Sequence, residues 1–385
     1  MLCLKNGVLY DAIHEESYKA DILINEGKIY KIGQNLEIPE GAEVYDVTGL
    51  NVYPGFVEAH CHLGLDGYGI GYEGHDYNEL NDIITPQLRG IDSFNPMDPT
   101  VIKALEAGVT TVATGPGSSN VLGGTFFAVK TYGKCVDEMV IKNPVAMKCA
   151  FGENPKRCYK DKGDSARMTT AAKLREMLLK AQDYKAKKDA AADDILKKPA
   201  VDMKLEALIP VLSREIPLKA HAHQANDIFT AIRIAREFNL KLTLEHTTEG
   251  HMIADELSKY AMDVPMAVGP TLNHATKFEV QNKTFETPGI LTEHGLSVSI
   301  ITDSPVIPQE YLPLCAGLAV KAGMSTFDAL KAITINPAKH IGIEDRVGSL
   351  ECGKDGDIVI MDGSLFEVSS EVKYVLVNGE IRFRN

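Results

Sequence analysis

Eight short apolar runs, spaced through the middle of the chain and separated by helical patterns, restrict the fold more than any other feature of this sequence. They are "GFVEAHCH", "VTTVATG", "GTFFAVKTYG", "VAMKCAFG", "PLKAHAH", "LKLTLEH", "PMAVGP" and "SVSIITD". Helical patterns such as "NPMDPTVIKALEAG", "NDIFTAIRIAREFN" and "STFDALKAIT" lie between them, the first two stopping near Gly or Asn. Apolar strands alternating with helices predict a closed parallel barrel, with an open doubly wound sheet as the alternative. Both chain ends instead read as hairpins, with Asn-Gly and Glu-Gly between strand-rich runs. The expected organisation is therefore α/β. A TIM-like (β/α)8 barrel covers 53–344, and a small β-sandwich domain is built from both termini, 1–52 plus 345–385. The Ala-, Lys- and Glu-rich stretch at about 165–207 reads as a helical insertion with a solvated face.

A parallel barrel carries its chemistry at the C-terminal ends of its strands, and the unusual polar residues of this chain fall there. The first strand ends in His60 and His62, which alternation places on one face with Cys61 on the other. The fifth ends in His221 and His223, the sixth in His246 and the eighth in Asp303. A lone histidine at a strand end is usually a satisfied structural group. Five histidines and an aspartate converging on one end point to a divalent metal, zinc above all. Lys148 lies within the apolar run "VAMKCAF", where a buried ammonium must lose its proton or find a counter-charge. It could take up carbon dioxide as a carbamate that bridges two cations, snorkel outward, or pair with nearby Glu153.

Fifty-three acidic against forty basic residues give a net charge of −13, which disfavours sequence-independent binding to nucleic acid or an anionic membrane. A small-molecule substrate is expected. Seven scattered cysteines make no disulfide framework, and the start "MLCLKNGVLYDAIH" has no secretory pattern, so the expected location is cytoplasmic, with a homo-oligomer possible.

With these residues assembled, the chain resembles the amidohydrolase superfamily and, within it, imidazolonepropionase-related members. The matching pieces include "DILINEGKIYKIG", "VYPGFVEAHCHLG", "MKCAFGENPKR", "AHAHQANDIFTAIRIA", "LEHTTEG", "ITDSPVIP" and "TINPAKHIGIEDRVGSLECGKDGDIVI". The resemblance implies that His60, His62 and Asp303 hold one metal and that His221 and His246 hold a second. It implies that Lys148, as a carbamate, bridges the two, and that Asp303 passes the proton of a metal-activated hydroxide to a leaving nitrogen. His223 is left as a catalytic or substrate contact, and whether it or His221 is the strand-five ligand stays open.

The implied reaction is hydrolysis of a C–N bond in a non-peptide amide, cyclic amide, or N-acyl or dipeptide-like substrate. A one-metal deaminase, an imidazolonepropionase-like ring hydrolase and a non-catalytic binding or assembly protein are the alternatives. "HAHQAND" departs from the imidazolonepropionase pattern by placing Gln224 where an acid is expected, which argues against that substrate. In the long loop after strand one, Glu73 and Arg89 are candidate substrate contacts, the arginine through its planar fork. "GPGSSNVLGG" lacks a P-loop ending and reads as a turn bringing backbone near the site.

Overall fold

The computed structural model describes residues 1–68, 71–163 and 165–385. Its strands are β1 (Leu2–Leu9), β2 (Tyr18–Asn25), β3 (Lys28–Gly33), β4 (Glu43–Asp46), β5 (Asn51–Pro54), β6 (Phe56–Cys61), β7 (Val109–Thr114) and β8 (Leu122–Lys130). They continue as β9 (Val140–Ala150), β10 (Leu218–Ala222), β11 (Leu242–His246), β12 (Met266–Val268), β13 (Val298–Ile300), β14 (Ile358–Met361), β15 (Val372–Val377) and β16 (Glu380–Arg384).

Strands β6 to β13 form one eight-stranded sheet in chain order, curled into a nearly closed TIM-like barrel. Each falls on one of the eight apolar runs. The direction of one strand departs from expectation: β8 is antiparallel to both β7 and β9, whereas the other ladders are parallel. The cause is the connection. Parallel neighbours need a crossover of a dozen or so residues, but β7 and β8 are joined by the short Gly115–Val121 segment, which can only reverse the chain. The seam between end strands β6 and β13 is bridged by Glu58, fully buried on β6. Its carboxylate accepts from Thr302 N at 2.9 Å, Thr302 Oγ1 at 2.9 Å and Gln309 Nε2 at 3.1 Å.

The helix Arg167–Ala191, within the stretch read as an insertion, faces solvent on one side only. Ala171, Leu174, Leu178 and Ala181, at three- and four-residue spacing, enter the main core cluster with Leu218, Ile228 and Leu244, so the helix covers the barrel between β9 and β10.

The two chain ends share one sheet, ordered β16-β15-β14-β5-β1-β2-β3 with β4 beside β1. The join is the antiparallel β5–β14 ladder, Val52 opposite Ile360 and Pro54 opposite Ile358. Leu4, Ile22, Ile24 and Val52 from the start of the chain pack with Ile358, Ile360 and Leu376 from its end. Burying such residues contributes about 1.5–3 kcal/mol each, so neither end would keep its strands without the other. No helix among the described residues is long and apolar enough to cross a membrane.

Candidate metal centre and cleft

Five strand ends bring His60, His62, Lys148, His221, His223, His246 and Asp303 to one point. His60 Nε2 lies 3.0 Å from Lys148 Nζ, and Asp303 Oδ1 is 3.4 Å from the Nε2 atoms of both His60 and His62. Ring centroids are 5.1 Å apart for His60 and His246, 4.3 Å for His221 and His246, and 4.6 Å for His221 and His223. Two groups, His221–His223–His246 and His60–His246–Asp303, each present ligand atoms within 4.8 Å of one another. All these side chains are buried except that of Asp303, which is 13 % exposed.

The outward hydrogen bonds of the rings decide what they offer inward. His62 Nδ1 is 2.7 Å from the Gly115 carbonyl and His246 Nδ1 is 2.8 Å from that of Gly269. A carbonyl can only accept, so in both rings the proton sits on Nδ1 and a lone pair on Nε2. His60 Nδ1 faces Glu245 Oε2 at 3.2 Å, and His223 Nδ1 lies 2.7 Å from Thr248 Oγ1. Burial holds the imidazoles neutral: His60 is pushed down to about 3 and His246 to about 4, with His221 and His223 well below the ordinary value. Among the described residues, His246 Nε2, both ring nitrogens of His221 and Asp303 Oδ1 are buried without a hydrogen-bond partner. Buried orphan groups of this kind are rare because each costs about 1–3 kcal/mol. Here they face one another, so the donor set fits a divalent metal held by imidazole and carboxylate.

Lys148 is fully buried, neither snorkelling nor paired with Glu153. Burial lowers its ammonium to about 7, so free amine is present at neutral pH. Its register neighbour on β10, Lys219, is equally buried, donates to Ala59 O at 3.0 Å and forms an ion pair with Glu245 Oε2 at 2.9 Å. Phe126 of β8 lies beneath, stacked on His60 at 5.2 Å. Asp303 (φ 54°) and His246 (φ 76°) both adopt left-handed backbone, a conformation costing about 1–3 kcal/mol at a non-glycine residue and concentrated at functional sites.

Above this point lies a cleft of about 220 Å³, lined by His62, His221, His223 and Asp303 together with Tyr77, Ser119, Asn154, Arg157, Lys277 and Pro305. Two candidates stay outside it. Arg89 pairs its backbone with Thr125 on the barrel wall and spends its fork on Asp92, at 2.9 and 2.7 Å, with the side chain 61 % exposed. Glu73 sits on an exposed turn, Tyr72–Gly74. The same loop contributes Tyr77 instead, its ring 5.1 Å from that of His62.

Sequence reasoning also missed Glu279, which is buried beside His221 Nε2 (3.6 Å) and His223 Nε2 (3.8 Å) and bound by Lys277 Nζ at 2.5 Å. It lies in the loop after β12, where no periodicity marks it. Lys219 and Glu245 did carry a signal: opposite charges within the apolar runs "PLKAHAH" and "LKLTLEH". The "GPGSSNVLGG" turn does approach the site, through the Gly115 carbonyl.

Residues 51–382 match the sequence profile of the Amidohydrolase family. The chain superposes on the crystal structure of an amidohydrolase from Thermotoga maritima with a TM-score of 0.96 and 40 % identity over the whole of both chains. It is 28 % identical to the amidohydrolase tasK of Hapsidospora irregularis, over 94 % of this chain and 40 % of that protein. It is 22 % identical to an adenine deaminase of Lactobacillus delbrueckii subsp. bulgaricus, over 94 % of this chain and 56 % of that protein. The chain thus spans roughly half the length of these two relatives.

Proposed function

The chain belongs to the amidohydrolase family, and on that premise we propose that it is a metal-dependent hydrolase of a carbon–nitrogen bond in a small amide, cyclic amide, or N-acyl or dipeptide-like substrate. The observation that carries this reading is the outward commitment of Nδ1 in His62 and His246, which leaves Nε2 lone pairs converging with the unpartnered Asp303 carboxylate. In this reading His60, His62 and Asp303 hold one ion, zinc by the chemistry of the donors, and His221 and His246 hold a second. When bound, such ions supply Lewis acidity, bringing water toward a pKa of about 7 and polarising a carbonyl.

The side chains perform the remaining work. Lys148 Nζ, present partly as free amine, adds to carbon dioxide: a C–N bond forms, a proton leaves, and the side chain becomes a carboxylate able to join the two ions. Asp303 takes the proton of the attacking water and delivers it to the leaving nitrogen. Burial alone would raise this carboxyl, and a cation held beside it would offset that and keep it ionised. His223, beside Glu279, orients the substrate. Arg157, which lines the cleft, replaces Arg89 as the candidate anchor for a substrate carboxylate. The unpaired state of all seven cysteines supports a reducing, cytoplasmic setting.

A second reading, a one-metal deaminase, is favoured by the His60–His246–Asp303 group, which needs no contribution from Lys148. A panel of N-acyl amino acids, dipeptides, cyclic amides and amino-substituted bases, offered to zinc-loaded protein, separates the two. Amide hydrolysis lost in Asp303→Asn and Lys148→Ala supports the hydrolase. Ammonia release that survives Lys148→Ala supports the deaminase, and full activity of Asp303→Asn removes the proton shuttle.

A further inference from the structure

A second cavity, about 610 Å³, lies at the opposite end of the barrel, against the starts of β10, β11 and β12. Five cations line it: Lys142, Arg214, Arg236, Lys241 and Lys339. Against Glu215 and Asp263 on the same lining they leave an excess of three positive charges, on a chain whose net charge is −13. Among the described residues none of the five forms an ion pair. Lys142 donates to Gly342 O at 3.0 Å, Arg214 to Asn239 O at 2.8 Å, and Arg236 to the Tyr260 carbonyl, contacts that place the cations without neutralising them. Arg236 and Lys339 lie in the last turns of helices, where a cation offsets the helix dipole. Lys142, Arg214 and Lys241 have no such role.

A second observation comes from the buried wall. His340 lines the cavity and is 4 % exposed; its Nε2 is 2.9 Å from Glu245 Oε1, while Nδ1 has no partner. With the Nε2 proton committed to that carboxylate, Nδ1 keeps a buried lone pair behind the cavity wall. A cavity of ligand size, ringed by unpaired cations, matches a small anion.

We propose that this cavity binds a small phosphate-bearing anion, at a site separate from the metal cleft. The proposal does not depend on the hydrolase reading. Lys241 and Lys339 hold the anion by charge, and Arg214 offers the arm that Asn239 leaves free.

The test is calorimetric titration of the full chain with 3-phosphoglycerate and, separately, inorganic phosphate, at about 0.01 M ionic strength, where charges are felt over roughly 30 Å. Lys241→Gln/Lys339→Gln is the variant, because neither side chain makes a hydrogen bond whose loss would disturb the fold, and Lys180→Gln on the exposed face of Arg167–Ala191 is the control. Saturable binding that weakens at least about tenfold in the double variant and not in the control supports the site. Tighter binding of 3-phosphoglycerate marks an organic phosphate as the occupant, and equal binding marks the free oxyanion. Absence of saturable binding up to about 1 mM of either probe, or affinity unchanged in the double variant, overturns it.

Discussion

At the N-terminal end of the barrel, Asp355 receives both arms of Arg346, at 2.7 to 3.1 Å, and the ammonium groups of Lys28 and Lys130 at 3.1 Å, while Asp357 takes a second contact from Lys130. At the C-terminal end, three ring nitrogens of His221 and His246 and one carboxylate oxygen of Asp303 are buried without a hydrogen bond among the described residues. Around Asp355 and Asp357 the barrel pairs its buried charges, while at the metal cleft it leaves buried rings and a carboxylate oxygen without hydrogen bonds. The reversed β8 supplies part of this contrast, because it carries Lys130 to the closed end, where that lysine ties the barrel to the sheet formed by the chain termini. Paired buried charge contributes stability or fixes geometry; unpaired buried charge facing a cleft is reserved for something that binds.

If the contrast holds, substitutions at the two ends should fail in different ways. The largest effect belongs to Asp303→Asn, for which kcat/KM on the best amide substrate falls at least about a thousandfold, some 4 kcal/mol of transition-state stabilisation, while thermal unfolding stays within a few degrees of wild type. Next comes Lys130→Met, which strands Asp357 without its buried partner. Urea unfolding should show a loss of about 3–5 kcal/mol with metal content unchanged, and a loss under about 1 kcal/mol would mean that the closed end is not held by these charges.

A smaller effect follows from acid. Burial would raise the Asp355 carboxyl, but Arg346 and the two lysines overcome it and bring it to about 2. A carboxylate lowered in the folded state stabilises above its unfolded value of 3.8, and that contribution disappears as the pH falls from about 4 to about 2. Allowing for solvent screening the loss is about 1 kcal/mol, and in Arg346→Gln this part of the acid sensitivity should flatten. The smallest effect is expected for Arg89→Ala: with its fork on Asp92 and away from the cleft, KM should change less than about twofold, whereas Arg157→Ala should raise it about tenfold or more for a carboxylate substrate.

The barrel strands were legible because each is a short apolar run, and the site because imidazoles cluster at their ends. The direction of β8 was not read, although its cause lay in plain view: "GPGSSNV" is too short for a crossover. Arg89 illustrates a different limit. Its charge suggested a substrate contact, but a loop residue's neighbours come from folding, and Asp92 three residues on was the nearer partner. Glu279 and Tyr77 reach the site from loops whose course no local pattern encodes. Lys219 and Glu245 were readable as charges inside strands; that they pair with each other beneath His60 required knowing that β10 and β11 are neighbours.

The central claim is that the histidines and Asp303 at the C-terminal end of the barrel hold divalent cations. Elemental analysis of protein purified without chelator, with intact mass under native conditions, tests it most directly. The account predicts one to two equivalents of metal per chain, lost in His60→Ala, with the mass of one carbon dioxide retained on the two-metal species and absent from Lys148→Ala. A well-folded wild-type chain that holds no metal even after zinc reconstitution would contradict it, and would leave the converging lone pairs of His62 and His246 without a chemical purpose.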